Sequence, residues 1–333
     1  MSDTMMILAG LVALIIGGEL LVRGSVATAE RFGMSPLLIG LTLVGFGTSA
    51  PELVTSLQAA RAGSPGIAIG NVVGSNIANI LLILGAAAII TPVAVGSRAL
   101  ARDGLLVLAI AVVFAAIARF YMLDRAVGAM FIAALAYYLW YVYRQEKTAP
   151  PGEHSAAFEK AEAYEEIHDG PIRHPRHTRA WAERLGTAMS LAMALAGLAV
   201  VVWGGDMLVN GATALARARG ISETVIGLTI VAVGTSMPEF VTSVLAAVRK
   251  HADVAIGNIM GSCIYNILGI AGCTALVSPT VVPPEVVSFD SLVMAGASIA
   301  LVAMARTGYR IARWEGAVLL AAYVAYIAAL WPK

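Results

Sequence analysis

Charge is scarce in this sequence. Of its 333 residues, 13% are Asp, Glu, Lys or Arg and 59% are hydrophobic, with a mean hydropathy of +0.81. Such scarcity excludes an ordinary soluble domain, in which about a quarter of the residues are charged. Cysteine is nearly absent: Cys263 and Cys273 share one apolar stretch, so no disulfide framework is expected and the redox compartment is not readable. A net charge of +1 gives no partner by itself, and no nucleic-acid partner is expected. No nucleophile and base pair or cofactor motif stands out, which argues against an enzyme and against a bound cofactor. The first apolar run, after Asp3, has no basic flank, so it reads as a retained anchor rather than a signal peptide.

What the chain does have is long apolar runs. A helix crossing about 30 Å of hydrocarbon needs roughly 20 apolar residues, and about ten stretches of that kind are present. They lie near 4–22, 35–61, 66–91, 102–118, 121–143, 186–208, 222–247, 252–277, 288–305 and 311–331. Their continuity suits helices rather than the alternating strands of a barrel. The expected fold class is therefore all-α and multi-pass, in a lipid bilayer such as a cell inner membrane. Trp140, Tyr141 and Tyr143 read as an interfacial belt.

The chain is also written twice. Residues 8–92 align without a gap to 195–279 at a constant offset of 187, with roughly half the positions identical, and the same offset carries Asp103 onto Asp290. A unit of five helices has an odd number of crossings, so the second copy should be inverted, with the substrate near the membrane midplane where the copies meet. The expected divisions are 1–143, a linker at 144–184, and 185–333. Basic residues at Arg23, Arg31, Arg98, Arg102, Arg144, Lys147, Arg249, Lys250, Arg306, Arg310 and Arg313 fall on one side, which places both termini outside and the linker in the cytoplasm. That linker is polar and carries His154, His168, His174 and His177, whose spacing fits no metal signature and whose charged neighbours suggest a solvated loop. Glu19 and Asp206, close to expected helix ends, read as interfacial. Asp103 and Asp290 read as groups favouring helix N-termini.

Two segments carry the chemistry. Gly47-Thr48-Ser49-Ala50-Pro51-Glu52 and Gly234-Thr235-Ser236-Met237-Pro238-Glu239 each place a carboxylate in the interior of an apolar span. A charge there costs several kcal/mol, so it should face a partner or a water-filled cavity. Pro51 and Pro238 lack an N–H and should break their helices, freeing carbonyls near Gly47 and Gly234. Thr48, Ser49, Thr235 and Ser236 can join the carboxylates on one face. Asn71, Ser75 and Asn79 recur at intervals of four, as do Asn258, Ser262 and Asn266, beside Gly70, Gly74, Gly257 and Gly261, which permit close helix approach. Packing is an equal reading for Asn71 and Asn258; ion contact is favoured for Ser75, Asn79, Ser262 and Asn266. Two carboxylates among neutral oxygens make a hard, all-oxygen site that suits Ca2+ over Mg2+, while the neutral oxygens suit Na+.

These segments, with GNVVGSNIAN and GNIMGSCIYN following them, resemble the paired repeats of the cation/calcium exchanger superfamily, above all its prokaryotic sodium/calcium exchangers. The resemblance implies that Glu52 and Glu239 bind Ca2+ with Thr48 and Thr235. It also implies that Ser49, Ser75, Ser236 and Ser262 flank them in Na+ sites completed by backbone oxygens near Gly45 and Ala232, with Asn79 and Asn266 at the centre. Some relatives carry aspartate where this chain has Asn266. The expected activity is Na+/Ca2+ antiport by alternating access, with the first and sixth helices as the sliding pair. The rivals are a Ca2+/H+ exchanger, which needs no Na+ ligands, and a channel, which two inverted halves in one chain argue against.

Overall fold

Long apolar segments with polar ends become helices that close their own backbone hydrogen bonds. The computed structural model describes residues 2–95, 98–120, 122–147, 154–169, 186–250, 252–306 and 309–331. Helix α1 is Asp3–Arg31, with Ser2 accepting from the Met5 N–H and Arg31 in its last turn, where the dipole favours a cation. A segmented helix from Pro36 to Thr48 leads to α2, Ala50–Arg61. Then come α3 (Pro65–Ile90), α4 (Arg98–Ala118), α5 (Arg125–Glu146) and α6 (Ala156–Asp169). Helix α7 is Thr187–Arg219, closed by Gly220 at a φ of 64°, the left-handed conformation that glycine adopts without strain. A second segmented helix, Glu223–Thr235, leads to α8 (Met237–Val248), and α9 (Val254–Val277), α10 (Val286–Arg306) and α11 (Arg313–Leu330) follow.

Among the described residues seven helices are long and apolar enough to cross a membrane, or eight if the pair flanking Ser236, bent by 51°, is one span. Helices α3 and α9 form the centre, with 78% and 89% of their most apolar windows buried. The outer helices α1 and α7 instead expose Leu8, Val12, Ile16, Leu191, Leu195 and Val202, an apolar face for lipid.

Glycine sets how closely the elements approach. In α1, a Cβ at Gly10 would stand 2.7 Å from the Leu208 amide nitrogen, and one at Gly17 would stand 2.7 Å from that of Val201. Rising numbers on α1 meet falling numbers on α7, so these two offset-matched helices are antiparallel. Gly70 and Gly74 of α3 receive the leading segment of α8 in the same way, with Leu228 against both. Two short antiparallel ladders tie the rims: β1 (Val93–Ala94) pairs with β4 (Arg310–Ile311), and β2 (Met122–Leu123) pairs with β3 (Thr280–Val281).

The segment read as a solvated linker contains a buried helix. In α6, Ala156, Ala157 and Lys160 are fully buried, and the helix lies between α9 and the Gly40–Val44 segment. The physical reason is the bare face of α9: Gly257 stands against the Glu159 side chain, and a Cβ at Gly261 would lie 2.9 Å from the Ala156 carbonyl oxygen. An alanine-rich helix covers such a face closely. His154 stacks on Phe158 and bonds Glu146 at 2.9 Å. The side chain of His168, and all of His174 and His177, lie outside the described residues.

Candidate ion-binding site

Both glutamates sit where a helix breaks. Ser49 (φ −95°, ψ 12°) and Ser236 (φ −83°, ψ 11°) leave the helical region, and α2 and α8 restart with proline in the first two positions. Pro51 has no N–H to give the Gly47 carbonyl, which accepts from the Ser49 N–H instead. Glu52 and Glu239 therefore fall in first turns, where the helix dipole favours a carboxylate. Each is 2% exposed. Below them, Asn71 donates to the Glu52 carbonyl (3.1 Å) and to Ser56 (2.9 Å), and Asn258 donates to the Glu239 carbonyl (3.3 Å) and to Ser243 (2.9 Å). The two copies thus brace each carboxylate-bearing helix identically, at the sequence offset of 187. For Asn71 and Asn258 the bracing reading is the one these bonds support.

Across the halves the bonds differ. Ser236 donates to Glu52 Oε1 at 3.0 Å, and Thr235 donates to Asn71 Oδ1 at 3.0 Å. Ser75 reaches the Ala232 carbonyl at 3.4 Å, which Thr235 also approaches at 3.3 Å. The matching bonds from Ser49 and Thr48 are absent: Ser49 Oγ is buried with no partner, and Thr48 bonds the Val44 and Gly45 carbonyls of its own helix. Glu239 Oε1 lies 3.2 Å from Lys160 Nζ, which also donates to Ser262, while Ser262 sits 3.5 Å from the same carboxylate oxygen.

Buried side-chain oxygens of these helices stand without hydrogen-bond partners: Glu52 Oε2, Glu239 Oε2 and Ser49 Oγ at the breaks, and Asn79 Oδ1 and Asn266 Oδ1 on α3 and α9, with Asn79 Nδ2 unpaired as well. Buried polar atoms are almost always paired, so unpaired acceptors of this kind match what a hard cation takes. Among the described residues no three His, Cys, Asp or Glu side chains gather, so the further donors to any cation here must be neutral oxygens. A cavity of about 390 Å³ reaches this region, lined by Gly47, Thr48, Pro51, Met237, Pro238 and Tyr164 among others.

Three features escaped sequence reasoning. Lys160, in the unduplicated linker, stands inside the site. Glu19 is well within α1, not at its end; it pairs with Arg23 and accepts from Tyr164 of α6 at 3.2 Å. Asp103 is fully buried and accepts the Ala156 N–H at 2.7 Å, closing the N-terminus of α6 rather than that of its own helix. The readable signal was an alanine-spaced stretch, Ala156 to Tyr164, inside an otherwise polar linker.

Membrane-length helices enclosing two glutamates at proline-broken turns define a multi-pass ion transporter. The chain belongs to the sodium/calcium exchanger family: the family profile "Sodium/calcium exchanger protein" matches residues 2–144 and 189–331. It is 36% identical to the putative antiporter CaxA of Alkalimonas amylolytica, over 97% of each chain. It is also 36% identical to the sodium/calcium exchanger MaX1 of Methanosarcina acetivorans, over 98% of each, and 30% identical to the inner membrane protein YrbG of Escherichia coli, over 98% of this chain and 96% of that one. Among solved structures, the sodium-calcium exchanger NCX_Mj superposes with a TM-score of 0.63 at 31% identity, covering 99% of both chains.

Proposed function

We propose that the protein is a sodium/calcium antiporter that exchanges Ca2+ for Na+ by alternating access. The cargo ions would bind one midplane site, with Glu52, Glu239, Thr48 and Thr235 taking Ca2+. Ser49, Ser75, Ser236 and Ser262 would flank them for Na+, and Asn79 and Asn266 would lie at the centre. The observation that carries this reading is the set of unpartnered buried oxygens contributed by both halves, on Glu52, Glu239, Asn79, Asn266 and Ser49. Exchange follows from sharing: two carboxylates cannot fully neutralise Ca2+ and several Na+ together, so one cargo leaves before the other binds.

The architecture proposed is two inverted five-helix units, 1–143 and 185–333, joined by 144–184 on the cytoplasmic side, with both termini outside an inner membrane. The antiparallel packing of the matched helices α1 and α7 supports inversion. Unequal contacts of matched segments support two-sided access: the leading segment of α8 closes on α3, whereas α6 stands between the leading segment of α2 and α9.

The test is transport in proteoliposomes. An imposed Na+ gradient at fixed pH should drive Ca2+ movement, and a pH gradient in sodium-free buffer should not. Proton-driven Ca2+ transport without Na+ would replace this reading with a calcium/proton exchanger.

A further inference from the structure

A lysine that is fully buried needs a reason to be there, because an ammonium taken from water loses hydration that only well-placed acceptors restore. Lys160 has those acceptors, and they are proposed ion ligands: Glu239 Oε1 at 3.2 Å and Ser262 Oγ. The helix that bears it is held at four further points. Asp103 accepts the Ala156 N–H, Glu146 accepts the Ser155 N–H and pairs with His154, and Tyr164 bonds Glu19. Gly257 and Gly261 leave α6 the room to bring the ammonium in.

We propose that Lys160 is a resident cation of the exchange site, standing on the Glu239 half, so that an arriving Ca2+ or Na+ must displace it. This rests on the reading of Glu52 and Glu239 as the ion site. The ammonium supplies one positive charge to a pair of carboxylates, leaving the other carboxylate to attract cargo. Ca2+ needs the Glu239 carboxylate, and Na+ the Ser262 hydroxyl, that Lys160 now occupies, and two cations on one group repel. Binding of cargo and burial of Lys160 are therefore mutually exclusive, and Lys160 raises the cation concentration needed to fill the site. A lysine serving only to pin α6 would instead remain buried when the site fills.

The test uses the full-length protein in detergent or nanodiscs, probed with an amine-acylating reagent and read by peptide mass spectrometry. Saturating Ca2+ should raise the acylation rate of Lys160 by about tenfold or more, as expected for a shift between two well-separated states. The exposed Lys147 and Lys250 are internal references and should not change. Lys160→Met should tighten equilibrium 45Ca2+ binding by about tenfold through loss of the competitor. If that variant misfolds, the acylation result on the unmodified chain decides. Lys160 staying protected while Ca2+ saturates the site, or a Lys160→Met protein that binds Ca2+ no more tightly, overturns the proposal. Normal 45Ca2+ binding in both Glu52→Gln and Glu239→Gln overturns the underlying site instead. Loss of binding in those variants, with Lys160 acylation insensitive to Ca2+ in the unmodified chain, removes the lysine inference alone.

Discussion

The glycine faces of α3 and α9 are near copies in sequence and differ in what covers them. Gly70 and Gly74 touch the backbone around Leu228, in the leading segment of α8, so the two halves close directly on each other. The offset-matched pair Gly257 and Gly261 touches Glu159, Ala156 and Lys160, because α6 stands where the leading segment of α2 would close. Tyr265 adds to the difference: it occupies the position matching Ala78, sits against Gly45, and donates to the Leu41 carbonyl, holding that leading segment by its side chain. A repeated sequence thus specifies equivalent surfaces but not equivalent neighbours. One site serves two sides of a membrane only if its matched contacts are not all made at once.

The comparison breaks most sharply at the carboxylates. Both Glu52→Gln and Glu239→Gln should abolish Ca2+ exchange, but only Glu239→Gln should release α6, since it leaves Lys160 buried without its counter-charge at a cost of about 3–5 kcal/mol. Hydrogen exchange of the backbone amides at 156–164 should rise in the second variant and stay at the parent level in the first.

Gly74→Val and Gly261→Val sharpen the contrast between the covers. At Gly74 the added carbon meets the Leu228 carbonyl oxygen and Cα at 2.6 and 2.7 Å, backbone that cannot yield, and overpacking of about 1–3 kcal/mol should lower the thermal unfolding midpoint in detergent. At Gly261 the nearest atoms belong to α6, so the same change should displace that helix and leave the midpoint near the parent value.

The matched aspartates come next. Asp103→Ala removes a charged acceptor from the start of α6 and should weaken its docking by about 1.5–3 kcal/mol. Asp290 instead accepts from Tyr326 of α11 at 2.9 Å, and Asp290→Ala should leave amide exchange in 156–164 unchanged.

The smallest effect concerns pH. His154 is held above its ordinary imidazole value by its bond to Glu146, with Glu159 and Glu162 adding in the same direction. A raised value means that docking gains from the protonated ring. The gain is complete below about pH 6.5 and is lost as pH rises through the raised value, amounting to less than about 1 kcal/mol for a partly exposed pair. Hydrogen exchange in α6 should therefore speed up with pH beyond its intrinsic rate, and His154→Gln should remove that excess.

Legibility followed duplication. The helix breaks at Pro51 and Pro238, the two glutamates, the asparagine braces and the glycine faces were readable because each appears twice, and one copy checks the other. Membrane character was readable from composition alone. The linker occurs once, and its charges read as solvated because nothing local reveals that α9 carries an uncovered face. Asp103 does serve a helix N-terminus, but that of a helix beginning 53 residues further along the chain. Contacts of that range depend on tertiary placement, which periodicity does not encode.

The attachment of α6 has a thermodynamic meaning as well as a structural one. Its lysine is tethered to α5 by the short segment 147–155, so the site experiences an ammonium at an effective concentration in the millimolar range or above, independent of any amine in solution. Free ions compete against that local concentration, and its value is set by tether length. A longer, flexible connection between Glu146 and Ala156 would dilute the internal competitor roughly as the −3/2 power of length. The threshold at which cations fill the proposed site would then be adjustable through the length of the connection between Glu146 and Ala156.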